Sequence, residues 1–397
     1  MKIVIINQQY PPETAATGQV FGVVATGLAE RGAEVTVVCG TPFYSKHEKL
    51  PREETREGVK IVRLWNTAYP KSSFFGKIIN QATFMLSLLE YVLFRIPNDA
   101  RVLVTTAPPL GLCVAALGRV DTKYKLYASI QDLYPDVLQA AGKMGSANLF
   151  YKILHNMMQW ALNKCAKVIT ISQDMSSRLR LVYGATSVHV IPNPSTGGVV
   201  PLPHGAERMR RGLDTWEGKL VVQYSGNFGL AHEYETLLDT MRILRDDERV
   251  LFHITGGGEN YKKLRTEAET LPNVVFEGYA PLETLSEHLS LADVALVIFD
   301  AAFRDVLLPS KYVGILASGR AVLLISGAES DISRDIAKHE AGEVFAHGAS
   351  NELAAQLVRM SSHMAQARRM GRNARELYEE KYSGERIVEE YYKALTQ

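Results

Sequence analysis

The chain has 397 residues, more than a single hydrophobic core usually fills, so its length points to two domains of roughly 150–200 residues each. Its 44 lysines and arginines balance 43 acidic residues for a net charge of +1; this excludes a global field that gathers nucleic acid, and any anion must be bound locally. Three widely spaced cysteines, Cys39, Cys113 and Cys165, argue against a disulfide framework or a zinc site and fit a reducing cytoplasm.

Met1-Lys2-Ile3-Val4-Ile5-Ile6 is too short for a signal-peptide core and runs straight into a turn, so it reads as a buried first strand with no export signal. Short apolar runs recur after it, each followed by a polar turn and a helical stretch, the pattern of parallel strands covered by helices on both faces. In the first half they fall at 2–6, 34–38, 60–64, 101–105, 125–130, 167–171 and 187–191, seven strands of one doubly wound sheet. Residues 78–96 interrupt the rhythm with a mostly apolar stretch flanked by Lys71, Lys77 and Arg95. Asn80, Gln81 and Glu90 would be costly in lipid, which favours a buried core helix or an interfacial one over a membrane span.

Pro192-Asn193-Pro194-Ser195-Thr196-Gly197-Gly198, prolonged by Pro201, Pro203, His204 and Gly205, reads as the linker. Strands resume at 220–224, 251–255, 274–276, 294–298 and 321–325, so a second Rossmann-like domain starts near 215. The expected division is 1–200, 201–378 and a C-terminal helix in 379–397 packing back on the first domain. The tail from 351 to 395 reads as two helices broken at Tyr382-Ser383-Gly384. The fold class is therefore α/β, with two doubly wound parallel-sheet domains facing a central cleft, and ligands are expected at the carboxyl ends of the strands.

Five stretches carry candidate chemistry. Gln8 to Val20 is a long polar turn whose small residues allow close backbone approach, with a helix from about Gly18. Gln131-Asp132-Leu133-Tyr134-Pro135-Asp136 follows the fifth strand; Asp132 there can orient an acceptor hydroxyl or take its proton, while helix capping is the other reading, above all for Asp136. Tyr224-Ser225-Gly226-Asn227-Phe228-Gly229-Leu230-Ala231-His232-Glu233 runs from a strand into a helix beginning near His232, an arrangement suited to phosphate, with the histidine as a donor to a diphosphate oxygen. Gly256-Gly257-Gly258 again permits close approach. Pro309-Ser310-Lys311 opens a helix over 310–318 with unpaired amides and a flexible cation, before Gly319-Arg320; alone, it is also an ordinary helix start with a solvated lysine.

With Gly18, Gln131-Asp132-Leu133-Tyr134-Pro135, Ser225-Gly226-Asn227, Gly256-Gly257-Gly258, Ala292-Asp293-Val294, Pro309-Ser310-Lys311 and Ala317-Ser318-Gly319-Arg320, nearly the whole chain resembles the GT-B-fold nucleotide-sugar glycosyltransferases of retaining family 4, in particular their O-antigen and capsule branch. The resemblance implies that His232 and Lys311 contact the donor diphosphate with amides near Ser310, that the backbone around Tyr279 meets the nucleobase, and that Gly18 lies beside the phosphates or the transferred sugar. Asn227 joins the diphosphate set, Gly256 and Gly257 the nucleobase and ribose set, and Thr17 and Tyr134 the acceptor set; Asp132, His232 and Lys311 are the candidate catalytic residues. Asn227 and His232 stand where many relatives carry Arg and Lys, Val306 and Gly314 where they carry two glutamates, and Gln131 where they carry a histidine. These departures bear on the donor sugar rather than on the reaction type.

The reading is a retaining transferase that moves a hexose, an N-acetylamino or deoxy sugar, from a UDP-sugar to a glycan or lipid-linked acceptor in surface polysaccharide biosynthesis. The expected setting is the cytoplasm, at the inner face of the membrane, with peripheral contact through 78–96 and no nucleic-acid partner. No Asp-x-Asp motif is present, and neither metal nor cofactor is expected. A nucleotide-sugar epimerase and a non-catalytic nucleotide-sugar-binding protein are the alternatives. A dehydrogenase would need a three-glycine fingerprint that follows neither Ile6 nor Tyr224.

Overall fold

The computed structural model describes residues 1–13, 15–41, 50–69, 74–118, 124–229, 232–327 and 329–397, leaving aside the side chains of 74 and 77. Thr14, Lys71, the Lys77 side chain, Leu230 and Ala231 therefore lie outside the described residues. The chain forms two compact units, one of Met1–Pro194, Asp305–Leu308 and Gly384–Gln397, the other of Ser195–Arg304 and Pro309–Ser383. These bounds replace the expected 200 and 378. Asp305–Leu308 belongs to the first unit because the Leu133 amide donates to the Val306 carbonyl at 2.8 Å and Arg178 Nη1 to Asp305 Oδ2 at 2.9 Å.

The first unit holds the strands β1 (Lys2–Ile6), β2 (Glu34–Gly40), β3 (Glu53–Arg56), β4 (Val59–Leu64), β5 (Arg101–Thr105), β6 (Lys125–Ile130), β7 (Lys167–Thr170) and β8 (Val188–Val190) in the order β3-β4-β2-β1-β5-β6-β7-β8. Seven are parallel, as expected; the eighth, β3, pairs antiparallel to β4 at the edge. Its sequence Glu-Glu-Thr-Arg has no apolar run, which is why a hydrophobicity reading passes over an edge strand. The helix Gly384–Thr396 returns to this unit: Ile387, Tyr391 and Leu395 enter the core with Phe21, Val24 and Leu28 of the helix Ala16–Glu30.

The second unit holds β9 (Leu220–Asn227), β10 (Val250–Gly257), β11 (Val274–Glu277), β12 (Val294–Phe299), β13 (Ala321–Ser326) and β14 (Gly342–Phe345), ordered β11-β10-β9-β12-β13-β14. The strand β14 is an addition to the sequence reading, and the tail breaks once more than expected, at His363 between the helices Ser350–Ser362 and Met364–Leu377. In both sheets the strand order reverses next to the first strand of its unit, between β1 and β5 and between β9 and β12. Loops leaving opposite ways from such a switch point open a crevice at the carboxyl end of the sheet.

Glycine lets β9 and β10 run together to that end. Gly256, at φ 125°, pairs with Gly226, and a Cβ built on it would lie 2.0 Å from the Gly226 carbonyl oxygen. Gly256→Ala is expected to cost about 2–5 kcal/mol through strain and overpacking, read from denaturant midpoints, whereas Gly145→Ala, which meets nothing within 4 Å, should be close to neutral. Equal midpoints for the two variants would refute this account of the strand crossing.

Candidate functional site

In the second unit, the loop after β9 and the helix Lys311–Ala317 meet at the switch point. Tyr224, fully buried on β9, stacks on Phe228 with ring centroids 4.3 Å apart. The Lys311 ammonium lies 3.7 Å above the Tyr224 ring centroid and donates to the Tyr224 hydroxyl, which itself donates to the Asn227 carbonyl at 3.0 Å. Against the other side of the lysine is Gly226, where a Cβ would come within 3.8 Å of Nζ. Among the described residues, Lys311 makes no ion pair with a carboxylate. Burial without a counter-charge pushes this ammonium down to about 7.

His232 completes the cluster, its ring edge-on to Phe228 at 5.7 Å and to Tyr224 at 6.4 Å. Burial, then the neighbouring Lys311 charge, lowers it to about 4. Its Nδ1 lies 3.2 Å from the Gly229 carbonyl oxygen, which can only accept, so the proton of the neutral ring sits on Nδ1. The remaining nitrogen, Nε2, is then an acceptor. His232 can therefore donate to a diphosphate oxygen through Nε2 once that nitrogen has taken up a proton. The helix expected near His232 starts at Glu235, because the Asn260 side chain holds the His232 carbonyl at 2.7 Å and Glu233 takes the Thr236 amide at 2.6 Å.

Tyr279 lies beside this cluster. Its hydroxyl donates to Asn227 Oδ1 at 3.3 Å, and a Cβ on Gly257 would sit 2.9 Å from its ring, so Asn227, Gly257 and Tyr279 are neighbours. The fold itself also requires Gly256 and Gly258: both have positive φ, and a Cβ on either would strike the backbone of Gly226 or Phe228. The amides of Asn260 and Tyr261 donate to the Phe228 carbonyl, so the helix after the triple glycine spends those donors inside the protein.

Ser310 is exposed and precedes the helix Lys311–Ala317 without a side-chain cap, while the Tyr312 amide is taken by the Pro309 carbonyl at 3.2 Å. Arg320, which follows the same helix, is buried and donates to the carbonyls of Leu202, Ser290 and Ser318. Asp293 is likewise structural, accepting from Arg208 and from the Val221 amide.

In the first unit, the carboxyl ends of β1, β5 and β6 gather the other candidates. The Asn7 amide group donates to the carbonyls of Gln9 and Thr17, Thr105 donates to Asn7, and Thr17 Oγ1 donates to Gln9 Oε1 at 3.1 Å. Gly18 packs on the Gln9 and Tyr10 backbone, with a Cβ position 3.2 Å from the Gln9 carbonyl carbon; its helix begins at Ala16. Asp132 is held through its amide, which donates to Thr106 Oγ1 at 3.2 Å, while its carboxylate has no hydrogen-bond or ion partner among the described residues. Burial raises that carboxyl to about 6, and Tyr134 is raised by its own burial and then by the Asp132 charge.

Asp136, read as a helix cap, is instead a buried hub that accepts from Arg178, Tyr151 and Tyr183. Gln131 is spent internally between Ser129 Oγ and the Asn193 amide group. The aromatic seat of Lys311, Tyr224 with Phe228, was missed because two rings inside an apolar strand and turn look like core until the lysine is seen above them. Among the described residues no group of three His, Cys, Asp or Glu is placed to hold a metal ion, and no helix is long and apolar enough to cross a membrane.

Residues 18–194 match Glycosyltransferase Family 4 and residues 206–377 match Glycosyl transferases group 1. WcaI of Escherichia coli (strain K12), designated a colanic acid biosynthesis glycosyl transferase, is 25% identical over 352 residues, covering 84% of this chain and 85% of that protein. The glycosyltransferase WbjE of Pseudomonas aeruginosa is 25% identical over 59% of each chain. Among solved structures, sucrose-phosphate synthase from Thermosynechococcus elongatus superposes with a TM-score of 0.78 at 18% identity over 99% of this chain and 98% of that one. Anabaena HepE, solved with UDP and glucose, gives 0.70 at 15% over 100% and 99%. At these identities the structural likeness is one of fold, and together with the two sequence matches it fixes the family: the chain belongs to glycosyltransferase family 4 and has the GT-B fold.

Proposed function

We propose that this glycosyltransferase transfers a hexose, an N-acetylamino or deoxy sugar, from a UDP-sugar to a glycan or lipid-linked acceptor in surface polysaccharide biosynthesis, with retention of configuration and without a metal or other cofactor. The observation that carries the reading is the Lys311 ammonium held between Tyr224 and Gly226 with no carboxylate partner, next to His232. A buried cation without a counter-ion is costly, and a diphosphate supplies the missing charge. HepE, of the same fold, was solved with UDP and glucose, which supports uridine as the base. The designation of WcaI supports a polysaccharide product.

In the proposed step the bond between the anomeric carbon and the diphosphate oxygen breaks, its electron pair leaving with UDP. A new bond forms to an acceptor hydroxyl oxygen. Lys311 and protonated His232 stabilise the negative charge that grows on the leaving diphosphate. Tyr279, Gly256 and Gly257 accommodate the base and ribose, and Ser310 with Asn227 the phosphates. Asp132 orients the acceptor hydroxyl beside Thr17 and Tyr134 and takes its proton, a task suited to a carboxylate raised to about 6 and still mostly ionised at neutral pH. We place the enzyme in the cytoplasm at the inner face of the membrane, touching it through the helix Phe74–Phe94, on which Ile78, Leu86 and Phe94 are exposed.

Thermal unfolding against UDP, GDP, ADP and dTDP tests the donor. UDP at a large excess over its dissociation constant should stabilise the protein by roughly 2–4 kcal/mol, and Lys311→Ala should abolish the effect. Equal stabilisation by GDP or ADP would remove uridine from the proposal. Asp132→Asn should lower transfer about 10²–10⁴-fold while leaving UDP binding intact.

The pH dependence follows from Lys311. Its ammonium titrates at about 7 in the empty site, and a bound diphosphate raises it, so above pH 7 binding must be accompanied by proton uptake. UDP-sugar affinity should therefore fall as pH rises, with the Lys311 contribution of up to about tenfold per pH unit setting in above pH 7, on top of the fall that proton uptake by His232 gives below it. Lys311→Arg keeps its charge and should flatten the profile; a wild-type profile flat from pH 7 to 9 in titration calorimetry would contradict the assignment.

A further inference from the structure

One face of the second sheet changes character along its strands. The positions on that face are Val221 and Gln223 of β9, Leu251, His253 and Thr255 of β10, and Val275 and Glu277 of β11. At the amino end they are apolar and pack with Trp216 and Leu291. Toward the carboxyl end they turn polar, although Gln223, His253 and Thr255 are at most 1% exposed, and the facing helix Leu285–Ser290 adds His288 at 2%. Buried polar groups cost free energy unless they are hydrogen-bonded, and apolar residues would fill the same face without that cost. The polar end therefore has a task that packing alone does not set.

The hydrogen bonds lead to Glu277. Gln223 Nε2 donates to the His288 carbonyl at 3.0 Å and to His253 Nδ1 at 3.1 Å, so that nitrogen accepts and the His253 proton sits on Nε2, 3.0 Å from Glu277 Oε2. Thr255 donates to the Tyr224 carbonyl at 3.3 Å and accepts from His288 Nε2 at 2.9 Å. The carbonyl of Glu277 accepts from the Tyr261 hydroxyl at 2.8 Å, so both its side chain and its backbone are fixed. The His253 hydrogen bond holds its carboxyl below the usual range. Glu277 ends β11, and its anchorage decides where the following turn points. In that turn the backbones of Tyr279 and Ala280 make no hydrogen bond among the described residues, while the Tyr279 ring lies against Gly257. A nucleobase edge is a row of donors and acceptors, and a free amide and carbonyl read it only when their direction is set.

We propose that His253 is a positioning residue for the donor's base: buried out of reach of any ligand, it holds Glu277, and Glu277 holds the turn whose free backbone groups meet the base. The inference rests on the nucleotide-donor reading and adds to it the side chains that fix the base end of the site. Lys311 and His232 stand outside this link, so the base end and the diphosphate end are separable by experiment.

Titration calorimetry of the full chain with UDP and with inorganic pyrophosphate, which has no base, tests the link. Glu277→Ala, at a side chain 44% exposed, removes the anchor without opening the core, and His253→Phe keeps a ring of similar volume without its hydrogen bonds. Each should weaken UDP about tenfold or more, with pyrophosphate within about twofold of wild type. The double variant should weaken UDP no further than either single one, because both break the same link. Glu277→Gln keeps an oxygen for His253 and should restore most of the affinity. UDP affinity unchanged in Glu277→Ala, equal losses for UDP and pyrophosphate, or additive losses in the double variant would each overturn the inference. Should His253→Phe fail to fold, the contrast between Glu277→Ala and Glu277→Gln decides alone. Wild-type protein that binds no nucleoside diphosphate more tightly than pyrophosphate would remove the donor reading and this inference with it, whereas failure of the inference alone shows only in the variants.

Discussion

A lysine ammonium held over a buried tyrosine, with no carboxylate ion pair among the described residues, is the arrangement on which the second unit's candidate site depends. Burial makes such a charge costly until an anion meets it, and the site keeps that character only if its surroundings are fixed, because relaxation toward solvent would hydrate the ammonium and remove its need for a counter-ion. Rigidity comes from below. The Tyr224 ring is clamped by Phe228, and Phe228 is in turn held by the Gly257 carbonyl on its amide and by two helix amides on its carbonyl. That ladder exists because Gly226 and Gly256 let two strands approach at a distance no side chain permits. The glycines of this unit therefore act on the Lys311 site indirectly, by positioning the ring beneath the cation.

The first unit uses its polar groups differently. Around Asp136 the charges are neutralised by Arg178 and two tyrosine hydroxyls, and the same arginine reaches Asp305, so this cluster ties the segment 305–308 into the unit. Ser129 links the Tyr391 hydroxyl to Gln131, and Gln131 reaches Asn193, fastening the returning C-terminal helix and the end of the linker to the carboxyl edge of the sheet. Four residues from the satisfied Asp136, Asp132 has only its amide engaged. Two carboxylates on one short turn are thus separated into a structural group and a free one. The free one is the carboxylate that the proposed transfer assigns to the acceptor hydroxyl.

Much of this was legible in the residues. Parallel strands buried on both faces are continuous apolar runs, and each run named from the sequence lies on a strand of the two sheets. Polar edges were illegible for the same reason: β3 carries no apolar run, and its pairing is fixed by the neighbouring β4 rather than by its own composition. Pro309-Ser310-Lys311 could be picked out because proline, a helix start and a cation coincide. Whether Arg320 shared that site could not, since only the fold shows its guanidinium turned toward the carbonyls of Leu202 and Ser290. The same limit applies to His232. Sequence places a histidine in a turn, but which nitrogen carries the proton is decided by the Gly229 carbonyl, a backbone atom with no signature in the side-chain pattern.

That tautomer and the lysine's low affinity for its proton have a common consequence. In the empty site both cations are suppressed, His232 by burial and by Lys311, and Lys311 by burial alone. A site built this way does not hold two fixed positive charges against each other while it waits. It acquires them as an anion enters, because each negative oxygen that approaches makes protonation of Nε2 and retention of the ammonium proton more favourable. An amide at Asn227 and a suppressed imidazole at His232 offer an anion an attraction that grows with its own charge rather than a constant one. In the proposed transfer the charge that develops on a departing diphosphate exceeds that of the bound donor, so groups whose protonation follows that charge would stabilise the later state more than the earlier one, which is the condition for accelerating the transfer rather than merely binding the donor.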